Sequence, residues 1–152
     1  MQLGGDSKTQ DNIAKFGCSV IHVMEEGDLP PLAYSIGITQ QTGAPEVVVI
    51  GLKQPIAHFI INEYNKRMIA GVRLERGTKE SGFLEGFDVL VETVPLAAYD
   101  EYFGQAIDFY GGPTFTVIQL VYPTTQGLWP WDDGVSESFR LRQPILANTR
   151  RH

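Results

Sequence analysis

The stretch EVVVIGL, residues 46–52, constrains this chain more than any other. Its consecutive β-branched side chains fit a pleated strand and crowd a helix, so it predicts a strand. Its surroundings then limit the architecture. Upstream, LAYSIGIT (32–39) predicts a second strand, and the six-residue turn QQTGAP between the two suits a hairpin. CSVIHVM (18–24) predicts another, apolar at nearly every position and therefore covered on both faces. Before it, Asp11 can cap a short helix through Phe16, with Gly17 as its stop.

Downstream, Pro55 opens a helix predicted over 55–70. Ala57, Ile60, Ile61, Tyr64 and Met68 form its apolar stripe. The polar segment 72–83 suits an exposed hairpin, and FDVLVETV (87–94) alternates like a half-buried strand. Pro95 precedes a second helix over 96–110, with Tyr99, Phe103, Ala106 and Tyr110 on one face. FTVIQLVY (115–122) is the last strand, and the rest reads as an extended arm packed on the domain. Three strands, helix, one or two strands, helix, strand is not strict βα alternation. The expectation is an α+β two-layer sandwich. Its sheet is mixed or mostly antiparallel, of about five or six strands, with the two main helices on one face. Residues 11–146 form the domain, flanked by flexible segments 1–10 and 147–152.

The 152 residues suit one domain. Twelve Lys and Arg against 18 Asp and Glu give a net charge of −6, which disfavours nucleic acid. The cations, including Arg140, Arg142, Arg150 and Arg151, form no dense run. One cysteine, Cys18, forbids an internal disulfide and fits a reducing cytoplasm. The N-terminus lacks the apolar segment of a signal peptide, and no apolar run is long enough to span a membrane.

No GxGxxG, Walker A, GxSxG, HExxH or CxxC motif is present, so no cofactor is expected. One Cys with the scattered His22, His58 and His152 is a poor ligand set, and no metal is expected either. His22 lies mid-strand among apolar neighbours, where it needs a partner: a carbonyl or Tyr hydroxyl, or, as a general base, a substrate. Tyr34, Ser35 and Gly37 interrupt the second strand, either as small residues under a helix or as one wall of a ligand cleft. In GLWPWDDG (127–134), Pro130 is expected to hold an extended chain with Trp129 and Trp131 on opposite sides. Asp132 and Asp133 can cap the next turn or bond Arg140 or Arg142. The stretch reads first as a structural clasp and second as a cleft wall facing the YSIG strand.

Taken together, GCSVIHV, PPLAYSIGIT, TGAPEVVVIGL, SGFLEGF, QLVYPTTQGLWPWDDG and RQPIL resemble the bacterial family catalogued as domain of unknown function 4262. The resemblance covers about residues 11–146 and implies a stand-alone cytoplasmic domain, with no reaction or catalytic residue to carry over. Leu32 departs from it, standing where an aromatic residue is expected. The functional expectation is a non-catalytic module, a homo-oligomer such as a homodimer, that binds a small molecule or a protein. Its ligand residues are drawn from Tyr34, Ser35, Gly37, Trp129, Trp131, Asp132 and Arg142. The alternative is a small-metabolite hydrolase using His22 and Asp132 as an acid–base pair, with Ser35 as a further catalytic candidate.

Overall fold

The structure, a computed structural model, describes residues 7–148. The expected flexible segments therefore lie partly outside the described residues, as do Arg150, Arg151 and His152. Helix α1 (Ser7–Phe16) leads into β1 (Ser19–Val23), β2 (Leu32–Ile36), a short α2 (Ile38–Thr42) and β3 (Glu46–Ile50). Then come α3 (Gln54–Ile69), β4 (Lys79–Leu84) and β5 (Phe87–Thr93). The chain continues through α4 (Tyr99–Tyr102), α5 (Gly104–Tyr110), β6 (Val117–Val121) and α6 (Glu137–Arg142). The strands make one six-stranded open sheet in the order β1-β2-β3-β6-β5-β4. β3 and β6 run parallel, and every other pairing is antiparallel. This is an α+β fold with a mixed, mostly antiparallel sheet, as the order of strand and helix signals implied.

The helices do not share one face, contrary to expectation. β2 and β3 are buried at every position, so both faces of the sheet centre need cover. Ala33, Val47, Val49, Ile118 and Leu120 pack with the α3 stripe of Ala57, Ile60, Ile61, Tyr64 and Met68. The alternate residues Tyr34, Ile36, Val48, Ile50 and Val117 pack with Tyr99 of α4, Ala106 and Phe109 of α5, and Phe103 between them. The result is three layers with the β3–β6 pair at the centre. Each fully buried valine or isoleucine there contributes about 1.5–3 kcal/mol of transfer free energy.

Four local expectations are also corrected. β2 stops at Ile36, because Gly37 adopts φ 109° and turns the chain into α2. A Cβ on Gly37 would lie 2.7 Å from Ile13 Cγ1, so α1 packs directly on that turn. β1 is an edge strand, and Val20, Ile21 and His22 are only half-buried rather than covered on both faces. The segment 96–110 is a 3-10 turn, α4 and α5 rather than one helix, broken at Phe103 (φ −122°, ψ 37°) just before Gly104. Residues 7–10, expected to fray, begin α1, where Thr9 is buried. The C-terminal arm packs on the sheet as expected, but it is not extended, since α6 (Glu137–Arg142) lies within it. Gln119 donates to the Pro144 carbonyl at 2.9 Å and accepts from Leu146 N–H at 3.0 Å.

Candidate functional site

At the carboxyl end of β3 the chain makes a close junction. Gly51 has φ 91°, and a Cβ there would lie 2.6 Å from the Tyr122 hydroxyl. The absent side chain lets three elements meet. Gly51 N–H donates to the Pro31 carbonyl at 2.7 Å, Tyr122 O–H donates to the Ile50 carbonyl at 2.7 Å, and Arg142 Nε donates to the Gly51 carbonyl at 2.8 Å. The last bond fixes the end of α6 beside the start of α3. Neither Arg142 nor Lys53 forms an ion pair among the described residues.

A cleft of about 290 Å³ opens at this junction. His22, Lys53, Gln54 and Arg142 line it, with Leu32 and Leu52 as apolar walls and Glu25 as its one carboxylate. His22 reaches it because β1 pairs with β2 in the register His22↔Ala33, which turns the imidazole toward α3. There His22 Nε2 lies 3.1 Å from His58 Nδ1, and the rings stack at 5.3 Å with planes 15° apart. Burial, and then the neighbouring His58, hold His22 below the ordinary histidine value. A neutral His22 offers one donor and one acceptor. The anchored Arg142, the exposed Lys53, a neutral imidazole and a single carboxylate make a cleft suited to an anionic group.

The other sequence candidates lie elsewhere. Tyr34 is in the core, edge-on to Phe103 at 5.2 Å, and burial pushes its hydroxyl up to about 12. Ser35 is fully buried; its hydroxyl donates to Glu46 Oε1 at 2.7 Å and accepts from Val47 N–H at 3.0 Å. Glu46 is a buried carboxylate that the sequence reading did not single out. It accepts from the backbone N–H groups of Gly37, Ile38 and Thr39 at 3.1–3.2 Å, and from the Tyr110 hydroxyl. Burial raises its carboxyl above the ordinary value, and the bonds from Tyr110, Ser35, Thr39 and Gly37 pull it back. The amides of Gly37, Ile38 and Thr39 can only donate, so the cage suits the ionised form. Cys18 is buried, and its thiol is pushed up to about 12, chiefly by burial.

The tryptophans do not alternate. Asp132 N–H donates to the Trp129 carbonyl at 2.9 Å, and Asp132 Oδ2 accepts from Trp129 N–H at 2.8 Å. This reverse turn has Pro130 and Trp131 at its centre. It brings the indoles onto one side, stacked at 5.7 Å with planes 5° apart. Alternation belongs to extended backbone, and a turn abolishes it. Arg140 closes the clasp, donating to the carbonyls of Pro130 at 2.9 Å and Asp132 at 3.0 Å. Trp131 shares a shallow cleft with Pro130, Arg140, Gln143 and Ile145, none of them from the YSIG strand. Asp132 is not among the residues lining the His22 cleft. So the structure brings His22 and Arg142 together and sets Tyr34, Ser35, Gly37, Trp129, Trp131 and Asp132 apart from them.

His58 and Lys53 were not expected at the site. His22 and His58 are 36 residues apart, and no local pattern announces such a pairing. No group of three or more His, Cys, Asp or Glu placed to hold a metal ion occurs among the described residues.

With a three-layer α+β domain and a cationic cleft in view, the class is a compact mixed-sheet domain. Residues 12–136 match the family described as Domain of unknown function (DUF4262), and the chain belongs to that family. No curated protein and no solved structure matches the chain. No helix among the described residues is long and apolar enough to cross a membrane.

Proposed function

We propose that the chain is a non-catalytic binding module that takes a small anionic ligand in the His22–Arg142 cleft, works in the reducing cytoplasm and self-associates along β1. One observation carries the ligand reading. The Gly51 carbonyl holds Arg142 by Nε alone, beside Lys53 and His22, in a chain whose net charge is −6. A cation anchored this way keeps its remaining N–H donors directed by the scaffold, which lowers the entropy lost on binding. His22 contacts His58 rather than a carboxylate that would orient it as a base, which supports binding over turnover. The unpaired cysteine supports the compartment.

Isothermal titration with inorganic phosphate and with acetate tests the reading. The parent protein should bind, and Arg142→Gln should lose roughly ten- to a hundredfold in affinity, the worth of one charge-assisted hydrogen bond. Equal affinity in parent and variant would remove the cleft as the ligand site. Steady ester turnover abolished by His22→Gln would replace the module with a hydrolase.

A further inference from the structure

Leu52 belongs to two cavities. On one side it walls the cationic cleft, and on the other it walls a larger cavity of about 430 Å³. Leu52, Leu84, Phe87, Tyr122 and Phe139 give the second cavity its apolar lining, beside the polar Thr124, Thr125, Gln126 and Ser136. The Tyr122 hydroxyl is turned inward to the Ile50 carbonyl, and its ring stands edge-on to Phe139 at 5.9 Å and 88°. Tyr122 therefore offers this cavity carbon rather than oxygen.

One short helix serves both spaces. Phe139 and Arg142 are three residues apart on α6, so they fall on one side of it. Phe139 lines the apolar cavity and Arg142 lines the cleft. Charge distinguishes the ends: Arg142 and Lys53 outnumber Glu25 at the cleft, whereas Glu85 lines the apolar cavity with no Lys or Arg beside it. An anion is drawn to one end and repelled from the other.

From this juxtaposition we infer that the ligand is an amphiphilic anion, its head in the Arg142 cleft and its apolar chain or ring lying past Leu52 in the Phe139 cavity. The inference rests on the anion-binding reading and adds the class of ligand. Together the two spaces fall within the roughly 300–1,000 Å³ of small-molecule sites, while the cleft alone sits at the lower limit.

A chain-length series in the full-length parent tests it, with acetate, octanoate and dodecanoate titrated below their micelle concentrations and dodecanol as the uncharged control. Affinity should rise roughly fourfold per added methylene over the first few carbons. Dodecanol should bind at least roughly tenfold more weakly than dodecanoate, for want of the charge-assisted bond. Octanoate should show a more negative heat-capacity change than acetate, the mark of apolar burial. Thr125 lines the second cavity and not the cleft, so Thr125→Trp should bring octanoate down to the affinity of acetate and leave acetate unchanged. The heat-capacity comparison needs no variant and decides the matter if that one does not fold. Octanoate no tighter than acetate, with acetate still dependent on Arg142, would overturn the amphiphile and leave the anion site standing. Octanoate and dodecanol binding equally well, with no loss in Arg142→Gln, would overturn both.

Discussion

Glu46 explains why the YSIG segment looks unusual. A carboxylate at the start of a fully buried strand is costly unless it is well paired, and here five groups donate to it. Ser35 is small and hydroxylic because it bridges Glu46 and Val47 N–H. Gly37 has no side chain because Ile13 occupies that space. Glu46→Gln tests the cage without creating a cavity. It turns one acceptor oxygen into an NH₂ group facing backbone or hydroxyl donors, and it removes the charge. The expected loss is about 2–3 kcal/mol of stability, read as a lower urea midpoint at neutral pH. An unchanged midpoint would mean that the cage contributes little.

Among the elements, β1 and α3 are coupled by their histidines. Folded His22 is held below its ordinary value of 6.5, by burial first and His58 second. A group that resists protonation in the folded state binds protons more readily when unfolded. Stability is therefore full above about pH 6.5 and falls as the pH drops through that value toward the folded pKa. His58→Gln removes the repulsion but not the burial. Its urea midpoint should accordingly fall less than that of the parent between about pH 7.5 and pH 5.5. Parallel pH profiles would show that His58 adds nothing to the shift.

This element pairing also marks how far the sequence could be read. Runs such as EVVVI and the α3 stripe record burial at a fixed period, and the strands and α3 fell close to where that period put them. Short α2 and α6 are too brief for a period to register. Their signals are single residues: Gly37 at the turn into α2, and the Ser136 hydroxyl accepting from Phe139 N–H to cap α6. For the candidate site, His22 and Arg142 stood out as individual residues. Their meeting depends on Gly51, on sheet order and on an α6 that no periodicity announced. The layer placement of the helices was hidden for a related reason: an apolar strand shows that both faces are covered but not which helix covers which.

At the scale of the molecule, the two sheet edges differ. β4 carries Lys79 and Glu80, has an irregular register between Glu80 and Leu84, and is covered where Arg67 donates to the Ser81 carbonyl at 2.8 Å. Such features discourage a further strand from pairing. β1, reading SVIHV, has no proline, no Lys or acidic residue and no bulge, and β2 is its single strand partner in the sheet. Val23 at its end is 41% exposed and Met24 just beyond is 67% exposed, so a second strand would find apolar side chains as well as free backbone groups. Antiparallel pairing of β1 with a second copy would satisfy both edges with one two-fold contact. Sedimentation equilibrium should show a dimer that dissociates on dilution, and Val23→Lys should be monomeric throughout. Val23 also lines the cleft, so the added cation should raise acetate affinity even as it abolishes the dimer. A parent that stays monomeric at every concentration would leave β1 unpaired and confine the function to the single chain.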